Sequence, residues 1–126
     1  MTLSEKRFGQ WIDAYGAAWA ARDGNRFGSL FEDDAVYYWT PLKEPNKGRA
    51  AIVAAFNGAV ARQREIDFNA RILYTQASLG CAHWTVSFTR AATGKRVHID
   101  GILVVQFSEH GRAQSFWEWW HTDEHD

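Results

Sequence analysis

The apolar positions near the start of the chain repeat at a helical interval. Phe8, Trp11, Ile12, Tyr15 and Trp19 fall at i, i+3, i+4, i+7 and i+11, which is one face of an amphipathic helix. Thr2 and Glu5 fit a T-x-x-E capping box ahead of it, and Arg22-Asp23-Gly24 sets a glycine just past its last turn. A short second helix follows in this reading, capped by Asn25, with Phe27, Leu30 and Phe31 turned inward. Residues 35–39 hold Val36, Tyr37, Tyr38 and Trp39, a β-rich run. Both prolines, Pro41 and Pro45, fall within 40–48, which reads as a loop. The alanine-rich stretch 49–64 predicts a third helix with Ile52, Phe56, Ala59 and Val60 on one face.

Beyond that point the period changes from 3.6 to 2. Ile66, Phe68, Ala70, Ile72 and Tyr74 alternate with polar residues, as do Ala82, Trp84, Val86 and Phe88. Thr93-Gly94 and His110-Gly111 mark turns on either side of a long strand over 97–107, and a last strand covers 113–120. Long strands joined by short turns predict a three-stranded antiparallel meander. Helices, one strand, a further helix and then a meander define an α+β fold in a single domain spanning residues 1–126.

Composition narrows the functional classes. Hydrophobic residues make up 46% of the chain, with seven Trp and eight Phe, which suits a packed core. The net charge of −1, with acids and bases interspersed, lacks the basic stripe that nucleic-acid binding needs. No apolar run approaches the length of a membrane span. Cys81 is the only cysteine, so an internal disulfide and a Cys₄ or Cys₂His₂ zinc site are excluded. The segment 1–7 lacks the apolar core of a signal peptide, and with a single cysteine the expected location is cytoplasmic. There is no Gly-rich phosphate loop and no metal cluster, so no cofactor is expected.

Three local strings carry a resemblance that covers nearly the whole chain. Leu30-Phe31-Glu32-Asp33-Asp34-Ala35 leads into the first strand, and Gly48-Arg49-Ala50-Ala51-Ile52 opens the third helix. Gly101-Ile102-Leu103-Val104-Val105-x-Phe107 is followed by Gly111-Arg112 and Phe116-Trp117-Glu118-Trp119-Trp120. In this order the strings resemble the nuclear transport factor 2-like superfamily and, within it, the SnoaL-like domains. The resemblance implies a cone in which a strongly curved antiparallel sheet wraps N-terminal helices and leaves a pocket at the wide end. It also implies a homodimer packed through the outer sheet face. Fold alone does not define function here, because the superfamily holds enzymes, binders and assembly modules.

Ketosteroid isomerase is a distant relative in that superfamily. Its pattern pairs an aspartate base on the first strand with an oxyanion hole made of a tyrosine and a protonated aspartic acid. Laid on this chain, Tyr15 takes the tyrosine position, but Trp39 and Leu103 take the positions of the base and second acid. The two-carboxylate isomerase route is therefore expected to be absent. The His, Asp, Arg and Tyr sets of scytalone dehydratase and limonene epoxide hydrolase do not register on this sequence.

The same resemblance nominates a pocket lined by Tyr15, Tyr37, Trp39, Phe56, Trp84, Val86, Phe88, Leu103, Phe116, Glu118 and Trp120. Such walls suit a small apolar or aromatic molecule. Glu118 and Tyr15 are the catalytic candidates. Glu118 shares a strand face with Phe116 and Trp120, and among aromatics a carboxylate loses hydration and its pKa rises. His121 or Tyr15 is expected to share its proton; the competing possibility is a structural ion pair with Arg49. Asp100 and His121 are lesser polar candidates. Asp33 and Asp34 read as solvated turn residues. His83, Thr85, Ser87, His98 and Asp100 read as a polar part of the outer sheet. The terminal run 121–126 looks superficially like a metal motif but reads as a frayed polar tail. The leading expectation is a small-molecule pocket protein, silent or acting as a cofactor-free lyase, isomerase or cyclase. The alternative is a dimeric binding or protein-interaction module whose cavity is filled by its own side chains.

Overall fold

Ser4, rather than Thr2, opens the first helix: its hydroxyl accepts a 3.1 Å hydrogen bond from the Arg7 backbone N–H. In this computed structural model, which describes residues 2–125, that helix is α1, Glu5–Ala21. Arg22 ends it in a left-handed conformation at φ 56°. The expected glycine cap is displaced, because Gly24 begins α2 (Gly24–Gly28), capped by Asp23 rather than Asn25. A Cβ at Gly24 would come within 2.3 Å of the Asn57 side chain, so the glycine serves helix packing.

Next come β1 (Phe31–Tyr38), the two-residue β2 (Asn46–Lys47) inside the proline loop, and α3 (Arg49–Val60). β1 begins four residues before the expected strand, and α3 ends four residues short of the expected helix. The strands β3 (Gln63–Gln76), β4 (Leu79–Arg90), β5 (Arg96–Phe107) and β6 (Ala113–His125) complete the chain. The meander therefore has four strands, not three. β3 forms one edge and leaves most of its residues exposed. Glu65 at φ 52° accompanies a break in its register.

All six strands form one sheet in the order β2-β1-β6-β5-β4-β3. β1 lies parallel to β6, with Tyr37 opposite Phe116, and the other neighbours are antiparallel. The sheet is strongly curved and open, and α1 to α3 fill its concave side. α1 buries Phe8, Trp11, Ile12 and Tyr15 against it. Each large side chain removed from water contributes about 1.5–3 kcal/mol. The architecture is the α+β cone with N-terminal helices.

Strand alternation splits the large residues of β6 between two faces. Phe116 and Glu118 are buried inside, whereas Trp119 is 48% exposed on the convex face. There, Tyr74, Cys81, Val104, Trp117 and Tyr38 form one row across five strands. Arg71, His83, Ile102 and Trp119 form the next. Residues 121–125, expected to fray, instead extend β6 and pair with β5 from Asp100↔His121 to Arg96↔His125. Met1 and Asp126 lie outside the described residues, so that end of the terminal run is not placed. Among the described residues, no helix is long and apolar enough to cross a membrane, and no group of His, Cys, Asp and Glu is arranged to hold a metal ion.

Candidate functional site

Phe116 sits between two tyrosines. Its ring stacks on Tyr37 at 4.3 Å and on Tyr15 at 5.5 Å, with interplanar angles of 13° and 14°. The parallel pairing of β1 with β6 brings Tyr37 to Phe116, and the inner face of α1 supplies Tyr15. The two hydroxyls meet at 2.8 Å. Tyr37 in turn donates to Glu118 Oε1 at 3.1 Å. With the Tyr37 proton committed to the carboxyl, Tyr15 donates to Tyr37, and a chain of two hydroxyls ends on one acid.

Glu118 is only 8% exposed and its other oxygen, Oε2, has no hydrogen-bond partner in the structure. Burial is the main cause that pushes its pKa from 4.5 up to about 8, and the Tyr37 hydrogen bond opposes the rise. At neutral pH the group is mainly a carboxylic acid. It then accepts from Tyr37 at Oε1 and carries its proton on Oε2. Burial also raises the Tyr15 and Tyr37 hydroxyls well above the ordinary tyrosine value, with the negative charge of ionised Glu118 as the next cause. Both tyrosines stay protonated donors. Arg49 does not pair with Glu118. Its guanidinium binds the Phe31 carbonyl oxygen and the Asp33 carboxylate, the latter at 2.6 Å.

Glu118 stands on the wall of a cavity of about 320 Å³ inside the cone. Tyr15, Tyr37, Trp39, Phe56, Trp84 and Trp120 line it as well. Trp39 is 38% exposed, and its backbone carbonyl accepts from the Trp120 indole at 2.7 Å. Neither tryptophan fills the space.

Four expected wall residues belong to the packed core instead. Phe116 is fully buried behind the tyrosine hydroxyls that it orients. Leu103 is fully buried between Ala82 and Glu118 on the neighbouring strands, and Glu118 is the one that reaches the wall. Val86 is buried beside Ile99, which takes the wall position, and Phe88 lies two residue pairs beyond, against Val97.

The lesser candidates are remote from the acid. Asp100 and His121 face each other on adjacent strands, both exposed, and Asp100 bonds His83 Nε2 at 2.8 Å on the convex face. Tyr37, rather than His121, is bonded to the acid.

Sequence reasoning passed over Gln63, Trp19, Arg62 and Asn46, all of which line the cavity. Gln63 was hidden by the over-long third helix. Its Oε1 accepts from the Trp19 indole at 2.8 Å, which fixes both side chains. A polar residue just where helical period gives way to alternation was the available signal.

A helix-filled, curved and open six-stranded sheet with this topology defines a protein of the nuclear transport factor 2-like superfamily. Within it the chain belongs to the SnoaL-like domain family, whose pattern matches residues 12–116. Among solved structures it is similar to SalBIII, an epoxide hydrolase/cyclase-like enzyme described for its role in pyran ring formation in the polyether salinomycin. The TM-score is 0.80 at 20% identity, over 93% of this chain and 92% of that one. At that identity the likeness is one of fold. No curated protein sequence is similar enough to this chain to match it.

Proposed function

We propose that this protein takes a small, mainly apolar or aromatic molecule into the cone and acts on it by acid/base chemistry centred on Glu118. The observation that carries the reading is a buried carboxylic acid on a cavity wall with one oxygen unpartnered and the other held by Tyr37. A proton leaves Oε2 for an oxygen of the ligand. The carboxylate left behind keeps the Tyr37 hydrogen bond, and it recovers a proton from the ligand when bonds have rearranged. Such a cycle consumes no oxidant, reductant or co-reactant, so it suits a lyase, isomerase or cyclase. An acid whose pKa lies near the working pH is matched to that task. SalBIII, which shares the fold, is described as an epoxide hydrolase/cyclase-like enzyme, and that likeness favours the reading.

The interaction-module reading draws less support, because neither Trp39 nor Trp120 fills the cavity. A homodimer through the convex face remains part of the proposal. The row Tyr74, Cys81, Val104, Trp117 and Tyr38, with Ile102 and the 48% exposed Trp119 beside it, forms a patch that favours a partner of matching apolarity.

Binding is tested with 2-naphthol as a fluorescent probe. The wild type is expected to bind it saturably, one molecule per chain. Ala59 of α3 lines the cavity, and Ala59→Phe is expected to remove that binding while leaving the far-UV circular dichroism unchanged. Equal binding by the filled variant, or none by the wild type, contradicts the reading.

A further inference from the structure

Four tryptophans of this chain are buried or half-buried near the cavity or the core, and three of their indole N–H groups have acceptors. Trp11 donates to the Leu30 carbonyl, Trp19 to Gln63 Oε1 and Trp120 to the Trp39 carbonyl. Trp84 is the exception. It is 2% exposed, lines the cavity and has no partner for Nε1. A buried donor left unmade costs about 1–3 kcal/mol. The Trp84 ring is held by its neighbours. It is stacked on Phe68 at 6.3 Å and tilted against Trp19 at 5.8 Å. On its third side it lies over Gly101, where a Cβ would come within 3.0 Å of Trp84 Cε2, the ring atom bonded to Nε1. Glycine at 101 is what lets the nitrogen end of the ring lie this close to β5.

Among the other neutral polar side chains at the wall, Gln63 is fixed with the same polarity. Because the Trp19 indole can only donate, the Gln63 amide turns its oxygen to it. That leaves the Gln63 NH₂ without a hydrogen bond among the described residues. Tyr15 and Tyr37 spend their protons along the chain to Glu118. Trp84 and Gln63 therefore offer donors to a guest.

Resting on the function proposed above, we infer that Trp84 donates its indole N–H to an oxygen of the bound molecule. The cavity thereby selects neutral compounds with a carbonyl or ether oxygen on an apolar frame over hydrocarbons of the same shape. The selecting donors, Trp84 and Gln63, carry no charge, and an anionic guest would repel Glu118 whenever that group is ionised. Arg62, the cationic residue at the wall, is exposed. Trp84 is a binding and specificity residue in this account, and Gly101 positions it.

A matched pair of probes tests the assignment: 2-acetylnaphthalene, which carries a carbonyl, and 2-ethylnaphthalene, which does not. Indole ¹⁵N–¹H spectra of the wild type report on Trp84 and Trp19 at once. The ketone is expected to move the Trp84 Nε1–H resonance downfield, while the hydrocarbon moves Trp19 but leaves the Trp84 proton without that shift. Trp84→Phe is expected to weaken the ketone about three- to tenfold more than it weakens the hydrocarbon, the range of one neutral hydrogen bond. If the ketone enters without shifting the Trp84 proton, or if Trp84→Phe weakens both probes alike, the donor assignment is wrong and the cavity reading stands. If neither probe perturbs Trp19 or Trp84, the small-molecule reading itself fails, and this inference with it.

Discussion

The Tyr37 hydroxyl donates a hydrogen bond of 3.1 Å to Glu118 Oε1, joining residues 81 positions apart in sequence. It is a contact between the two parallel strands of an otherwise antiparallel sheet. The bond favours the ionised carboxylate, yet burial of Glu118 outweighs it and the pKa stands at about 8. The same pair thus sets both the position of the acid and the limit of its basicity.

Tyr37→Phe is expected to push the Glu118 pKa higher still, because the one contact that lowers it is removed. It also strands the Tyr15 hydroxyl, which loses its 2.8 Å partner, so stability should fall by about 1 kcal/mol. A chemical-denaturation midpoint and a carboxyl titration of the variant check the two effects. A Glu118 pKa lowered by the substitution would contradict donation from Tyr37 to the carboxylate.

Stability should depend on pH through Glu118 with a definite sign. The group binds its proton more tightly folded than unfolded, so its contribution is fully present below about pH 4.5 and is lost as pH rises to about 8. The slope is at most about 1.4 kcal/mol per pH unit for one proton. Glu118→Gln, neutral at every pH, should remove it, so the stability difference between variant and wild type grows from pH 5 to pH 8 in favour of the variant. Parallel slopes for the two proteins in urea unfolding would count against a buried acid.

Gly101→Ala should cost about 1–3 kcal/mol by overpacking. The added Cβ would lie 2.5 Å from the Trp119 carbonyl oxygen and 3.0 Å from Trp84 Cε2, and backbone on one side leaves little room to yield. Urea unfolding measures the cost. Unchanged stability would show that the sheet relaxes there and that Trp84 is not held as described.

The legible part of this molecule is the part set by period. Phe8, Trp11, Ile12 and Tyr15 announce α1 because one helix face must be apolar, and the alternation of Phe116 and Glu118 with Trp117 and Trp119 announces two strand faces. Pairing at long range was not legible. Tyr37 was visible as a wall aromatic, but its hydroxyl acquires a role only when β1 lies parallel to β6. Phe116 and Leu103 share the inward face with Glu118 and yet lie behind the wall, since curvature and neighbouring side chains decide which inward residue meets empty space. Ser4 caps α1 in place of Thr2 because caps are settled by local hydrogen bonds, which the T-x-x-E spacing alone does not reveal.

In solution the protein should have twice the 14.4 kDa mass of one chain. The apolar patch of the convex face centres on Trp117 and Trp119, with Ile102 and Val104 beside them. Trp119→Lys should halve the mass measured by light scattering without changing the fold. A single-chain mass for the wild type at micromolar concentration contradicts the dimer.

The protonation of Glu118 is the centre of the account, and a ¹³C carboxyl titration reads it directly. The Glu118 Cδ resonance, assigned by its absence in Glu118→Gln, should titrate with a midpoint near 8, while exposed carboxylates titrate in the ordinary acidic range. A midpoint at or below 4.5 would show that Glu118 is ionised at neutral pH and is not the proton donor of this site.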